Sequence, residues 1–155
     1  MKIPLILSEK DWLLMTNETM NDPYVYRVNC IDRLREEIER YGTLFVAFDF
    51  DNTVFDFHGK GFRFDAVEGL LRVCKEFEFK LILFTAKESQ EELNECVAYC
   101  KKRGYEPDFI NENPLMNTKK PYYNILLDDR AGLGDACECL ATAMLQVQSE
   151  KMKSL

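Results

Sequence analysis

The chain has 155 residues, 46% hydrophobic and 30% charged, which is the balance of an ordinary globular protein and long enough for a real core. Its formal net charge of −7 argues against a broad surface for nucleic-acid backbone, while leaving room for a local basic site. No apolar run approaches the roughly 18–20 residues needed to span a bilayer, and the N-terminus lacks a signal-peptide core with a small-residue cleavage site, so the expected location is the cytoplasm.

The first 28 residues read as an N-terminal extension of undefined role. Ser8 can cap a short helix (Ser8-Glu-Lys-Asp11, then Trp12, Leu13 and Leu14), followed by a turn at Asn21-Asp22-Pro23. A helix is expected from about Cys30 to Tyr41, with Ile31, Leu34 and Ile38 on one face and Gly42 as its stop. Strand one follows, about Thr43 to Asp49. Its apolar residues do not alternate with polar ones, which predicts burial on both faces. Val54 to Phe64, containing His58-Gly59-Lys60-Gly61, reads as a loop or small hairpin.

Asp65 can cap a helix to about Phe77, with Val67, Leu70, Leu71, Cys74 and Phe77 in one stripe. Strand two is Lys80 to Phe84, ending at Thr85. A third helix, about Glu88 to Arg103, should bury Leu93, Cys96, Val97 and Cys100 and stop at Gly104, before a short strand near Asp108 to Ile110. Strand four, Asn124 to Leu127, runs into Asp128-Asp129. The last helix, about Leu133 to Gln148, carries Leu133, Cys137, Leu140, Met144 and Val147. Strands alternating with helices at this spacing predict an α/β fold with a doubly wound parallel sheet in a single domain, residues 1–155, with no internal repeat or linker. The six cysteines fall mostly on apolar helix faces and read as reduced core residues; their spacing and the single histidine, His58, do not suit zinc.

Three strands thus end in polar groups: Asp49 and Asp51, Thr85, and Asp128 and Asp129. Parallel strands deliver their carboxyl ends to one edge, where open α/β sheets bind ligands. Four clustered carboxylates repel one another unless a hard cation sits among them. Mg²⁺ takes oxygen ligands, keeps several waters and suits a phosphate-handling site.

Taken in order, Asp49-Phe50-Asp51-Asn52-Thr53, Leu81 to Thr85, Lys120 and Leu126-Leu127-Asp128-Asp129 resemble the four motifs of the haloacid dehalogenase-like (HAD) superfamily of hydrolases, over roughly residues 43 to 132. Lys120-Pro-Tyr-Tyr-Asn-Ile-Leu-Leu-Asp-Asp129 looks like the compact segment of that superfamily's smaller bacterial and phage phosphatases. The resemblance implies a Rossmann-like HAD core and a Mg²⁺-dependent phosphomonoesterase. Asp49 would be the nucleophile that forms an aspartyl-phosphate, and Asp51 the general acid and then base. The Asp49 carboxylate, the Asp51 backbone carbonyl and one or both of Asp128 and Asp129 would hold Mg²⁺; Thr85 would donate to a phosphoryl oxygen and Lys120 would supply positive charge.

Chain length works against Lys120. Fully extended, the eight residues to Asp128 would carry it roughly 26 Å away, so the segment must bend. Lys119 and Lys87 compete for the role, Lys87 following Thr85 by two residues, and Arg130 can pair with the acids beside it.

Only 31 residues lie between Thr53 and Thr85 and 34 between Thr85 and Lys120. Each interval is consumed by a loop, a helix and a strand, so no cap domain fits. Within the superfamily an open site implies a phosphorylated end of a macromolecule, or an oligomer whose neighbouring subunit closes the pocket over a phosphorylated small molecule. Residues Phe55, Phe57 and Phe62 around the glycine loop are the covering groups available in one chain. Three other readings use the same residues: a phosphotransferase of the same chemistry, a receiver-like signalling domain, and a non-catalytic phosphate-binding module. In a receiver the acidic pair precedes the phosphorylated Asp, whereas here it closes the series; intact Asp49 and Asp51 argue against loss of catalysis.

Overall fold

A computed structural model describes residues 26–155. The expected Ser8-capped helix and Asn21-Asp22-Pro23 turn lie outside the described residues. Helix α1 (Arg27–Tyr41) begins three residues before the expected Cys30, so the last part of the proposed extension is helical. Leu34 and Ile38 are its buried residues. Gly42 ends it with φ 71°, where its N–H returns to the Ile38 carbonyl; a side chain in that left-handed conformation would clash with the backbone.

Four strands follow: β1 (Phe45–Asp49), β2 (Lys80–Phe84), β3 (Phe109–Ile110) and β4 (Ile125–Leu127). They form one sheet in the order β3-β2-β1-β4, all parallel. Val46, Ala47 and Phe48 of β1 and Leu81, Ile82 and Leu83 of β2 have no solvent exposure, as their unbroken apolar runs predict. The architecture is α/β, a parallel sheet flanked by helices, compatible with a Rossmann-like core.

Helix α2 (Asp65–Glu76) connects β1 to β2 and buries Val67, Leu71 and Cys74. Asp65 is not its cap. Phe64 holds that position without a side-chain bond, and Asp65 sits in the first turn, paired with Arg63 at 2.9 Å. A carboxylate there still opposes the positive end of the helix dipole. Helix α3 (Gln90–Lys102) starts after Ser89, whose hydroxyl accepts from the Glu92 N–H at 3.2 Å and donates to the Glu92 carboxylate at 2.8 Å. It buries Cys96 and Cys100, with Leu93 and Val97 half-buried. Helix α4 (Leu133–Lys153) runs past the expected end at Gln148, and Cys139 rather than Cys137 joins Leu140, Met144 and Val147 in its buried set. It packs along α1, and Arg27 at the start of α1 pairs with Asp135 and Glu138 of α4. Burial pushes the Cys74 and Cys100 thiols up to about 12, consistent with inert core cysteines.

The sequence runs from β1 outward to β2 and β3, then returns to place β4 on the other side of β1. Asn124 fixes that return. Its backbone N–H donates to the Phe45 carbonyl at 2.8 Å, its side-chain oxygen accepts from the Phe45 N–H at 2.6 Å, and its amide donates to Glu37 of α1 at 2.7 Å. The residue is 8% exposed and does the work of a ladder for a strand only three residues long. The strand order therefore reverses at β1, and the crevice between the carboxyl ends of β1 and β4 is where such sheets bind ligands.

Candidate active site

Asp49 is the last residue of β1, and the chain turns sharply beyond it. The Phe50 carbonyl accepts from the N–H groups of Thr53, Val54 and Phe55, while Asn52 takes φ 61°, the left-handed region that Asn tolerates better than most residues. This coil swings Asp51 away from the strand direction and drives Thr53 inward. Asp128 and Asp129 follow β4 directly. The Asp128 side chain accepts from the Arg130 N–H at 2.8 Å and its carbonyl from the Ala131 N–H at 3.0 Å, a turn that holds both acids at the strand end.

The three carboxylates Asp49, Asp128 and Asp129 each place an oxygen within 4.8 Å of the others. They line a cavity of about 390 Å³ together with Asp51, Asn52, Phe57, His58, Ala86 and Arg130. Burial raises Asp49 to about 6; the charges of Asp128 and Asp129 push the same way, against hydrogen bonds from the Phe50 N–H and Thr53. All-oxygen donors under mutual repulsion fit a hard divalent cation such as Mg²⁺. Asp51 stands apart from this trio and faces Lys87, whose ammonium lies 3.1 and 3.3 Å from its two oxygens.

Thr53 is the residue that sequence reading left as a mere motif member. Fully buried, it donates its hydroxyl to Oδ2 of Asp49 at 3.2 Å and accepts from the Asp129 N–H at 3.1 Å, tying β1 to the turn after β4. Its place four residues after Asp49, on a tight coil, was the available signal.

Thr85 lies at the end of β2. Its backbone N–H and carbonyl are both bonded to the Asn111 side chain, at 2.9 and 3.0 Å, and its hydroxyl accepts from the Lys87 N–H at 3.3 Å. The residue after it, Ala86, lines the acidic cavity. Lys120 is exposed, and its carbonyl accepts from Asn113 and Thr118 at 3.0 and 2.9 Å; no described bond links its side chain to the acids. Lys119 lines a separate cavity with Asn111, Asn113 and Thr118. Arg130 lines the acidic cavity.

The aromatic loop divides. Phe55 stacks on Phe50 at 5.2 Å and meets Tyr99 edge-on at 5.4 Å, so it packs against the core. Phe57, 56% exposed, lines the acidic cavity beside His58. Phe62 lines a different cavity with Arg63, Glu68, Tyr99 and Arg103. Asp56 holds the loop shut by accepting from the N–H groups of Gly61 and Phe62 at 2.7 and 3.1 Å. Among the described residues no helix is long and apolar enough to cross a membrane.

No family model matches the chain, and no curated protein matches it. Among solved structures it is similar to a conserved protein from Bacteroides thetaiotaomicron, at 24% identity and a TM-score of 0.48, over 58% of this chain and 78% of that one. At this level the likeness says nothing of activity.

Proposed function

We propose that the protein is a Mg²⁺-dependent phosphomonoesterase of the haloacid dehalogenase-like type, working through an aspartyl-phosphate in the cytoplasm. The observation that supports this reading most is the meeting of Asp49, Asp128 and Asp129 within 4.8 Å at the point where the strand order reverses, with Asp51 alongside but outside the trio. Asp49 attacks phosphorus, the ester P–O bond breaks, and Asp51 gives its proton to the departing oxygen. Asp51 then takes a proton from the water that attacks the aspartyl-phosphate, which frees Asp49 and releases inorganic phosphate. Thr53 keeps the Asp49 carboxylate oriented throughout, and Thr85 offers its hydroxyl to a phosphoryl oxygen. Asp49, the Asp51 carbonyl, Asp128 and Asp129 would hold Mg²⁺, which supplies charge to screen an anionic nucleophile from an anionic phosphate.

No cap domain belongs to this reading, since between β1 and β2 and between β2 and β3 the chain carries one helix each. The cavity is correspondingly open to a phosphorylated small molecule or a phosphorylated macromolecular end, and a second copy of the chain is the candidate for closing it. A Mg²⁺-supplemented assay with an aryl phosphate tests the activity: turnover should vanish in EDTA and in Asp49→Asn, and turnover that survives both would end the proposal.

A further inference from the structure

Charge balance around the acids points to a residue outside the motif assignments. The crevice gathers Asp49, Asp51, Asp128 and Asp129, and its proposed substrate brings further negative charge. A cation must meet the phosphoryl group at close range. Lys120 is exposed, and the bends that hold its carbonyl to Asn113 and Thr118 leave its side chain with no described bond to any of the four acids.

Lys87 is differently placed. It follows Thr85 at the end of β2, the strand adjacent to β1, and its backbone N–H is tied to the Thr85 hydroxyl. Its side chain is 22% exposed, and its ammonium sits 5.7 Å from the centre of the Phe50 ring and 5.9 Å from that of Phe57. It lines an adjoining cleft of about 240 Å³ with Phe50, Phe55, Cys96 and Tyr99, and meets Asp51, which lines the acidic cavity. The geometry explains why so charged a group stays in an aromatic surround: two aromatic faces and a carboxylate replace much of its water.

We infer that Lys87, not Lys120, is the cation that binds the transferring phosphoryl group. This rests on the phosphatase reading above. A lysine ammonium has three N–H donors. Its nitrogen lies 3.1 and 3.3 Å from the two oxygens of Asp51, which leaves a donor for a phosphoryl oxygen bound beside Asp51. One side chain thereby orients the proton-transfer carboxylate and neutralises charge developing on phosphorus, without leaving its aromatic seat. The bend that would carry the Lys120 side chain to the phosphate is not required.

The test compares Lys87→Met, Lys87→Arg and Lys120→Met in the full chain, with circular dichroism to confirm folding, by two readouts. The first is kcat/KM on an aryl phosphate with Mg²⁺. The second is the affinity for inorganic phosphate with Mg²⁺, by titration calorimetry. Lys87→Met should lower kcat/KM by about 10²–10³-fold, the scale of one lost electrostatic stabiliser, and weaken phosphate by at least about tenfold; Lys87→Arg should recover part of both. Lys120→Met should stay within about tenfold of wild type. If the wild type turns over and Lys120→Met is the crippled variant while Lys87→Met is not, the inference is wrong and the phosphatase reading stands. A wild type that neither hydrolyses the ester nor binds phosphate overturns both.

Discussion

Thr53 holds Asp49. Its hydroxyl, with no solvent exposure, lies 3.2 Å from Oδ2 of the carboxylate at the end of β1, and the same oxygen accepts the backbone N–H of Asp129 at 3.1 Å. One buried hydroxyl therefore sets both the orientation of the proposed nucleophile and the position of the acidic pair that faces it.

Removing that hydroxyl should cost structure and rate together. Thr53→Val keeps the shape but leaves two polar groups without their partner, for a loss of about 1–3 kcal/mol in unfolding free energy. A carboxylate free to rotate should also lower kcat by roughly 10–100-fold. Thr53→Ser, which keeps the hydroxyl, should restore most of both. Denaturant unfolding and steady-state kinetics check this; full activity in Thr53→Val would show that the bond is incidental.

The raised Asp49 gives a pH signature in the metal-free protein. Its folded value of about 6 lies above the ordinary 3.8, because burial and the neighbouring acids disfavour the charged form. The folded state then holds this proton more tightly than the unfolded chain. That contribution to stability is complete below about 3.8 and is lost as pH rises through about 6. Asp49→Asn should accordingly raise Tm at pH 8 with EDTA present and change it little at pH 4. In the wild type, Mg²⁺ must displace the proton, so its affinity should climb between about pH 5 and 7. A Tm difference that is the same at both pH values would contradict the assignment.

Phe57 and Phe62 separate function from surface. Both are more than half exposed, so neither Phe57→Ser nor Phe62→Ser should shift Tm by more than a few degrees. Only Phe57 shares the acidic cavity. Phe57→Ser should change the ratio of kcat/KM between an aryl and a small alkyl phosphate, and Phe62→Ser should leave it unaltered; equal effects would remove the cavity boundary drawn between them.

Much of the fold was legible because its signals are local and strong. Gly42 stops α1 as expected, and the unbroken apolar runs of β1 and β2 announce strands buried on both faces. The meeting of Asp49 with Asp128 and Asp129 was also readable, since parallel strands must end on one edge. The misses come from competition among local groups. Asp65 looked like a cap, but Phe64 takes the position and Asp65 pairs with Arg63; Ser89, three residues before Glu92, was the stronger capping pattern and went unread. Cys139 replaced Cys137 in the buried set of α4, a choice of helix face that periodicity alone leaves ambiguous. The bonds from Thr53 to Asp129 and from Asn124 to Phe45 connect residues more than 70 apart, and no pattern along the chain encodes such pairs.

Asn124 and Phe45 are separated by 79 positions, and their bonds stand where β4 joins β1. Contacts of such separation carry a large loop-closure cost before they return anything. Chains are made from the N-terminus, so Asp49, Thr53 and Thr85 all exist while the ribosome has yet to supply Asp128. A nascent chain at that stage owns the proposed nucleophile but not the pair that completes the acidic trio. Under the proposed function, then, a chain that ends before Asp128 lacks two of the three carboxylates that would hold the cation, however well β1 and β2 have paired.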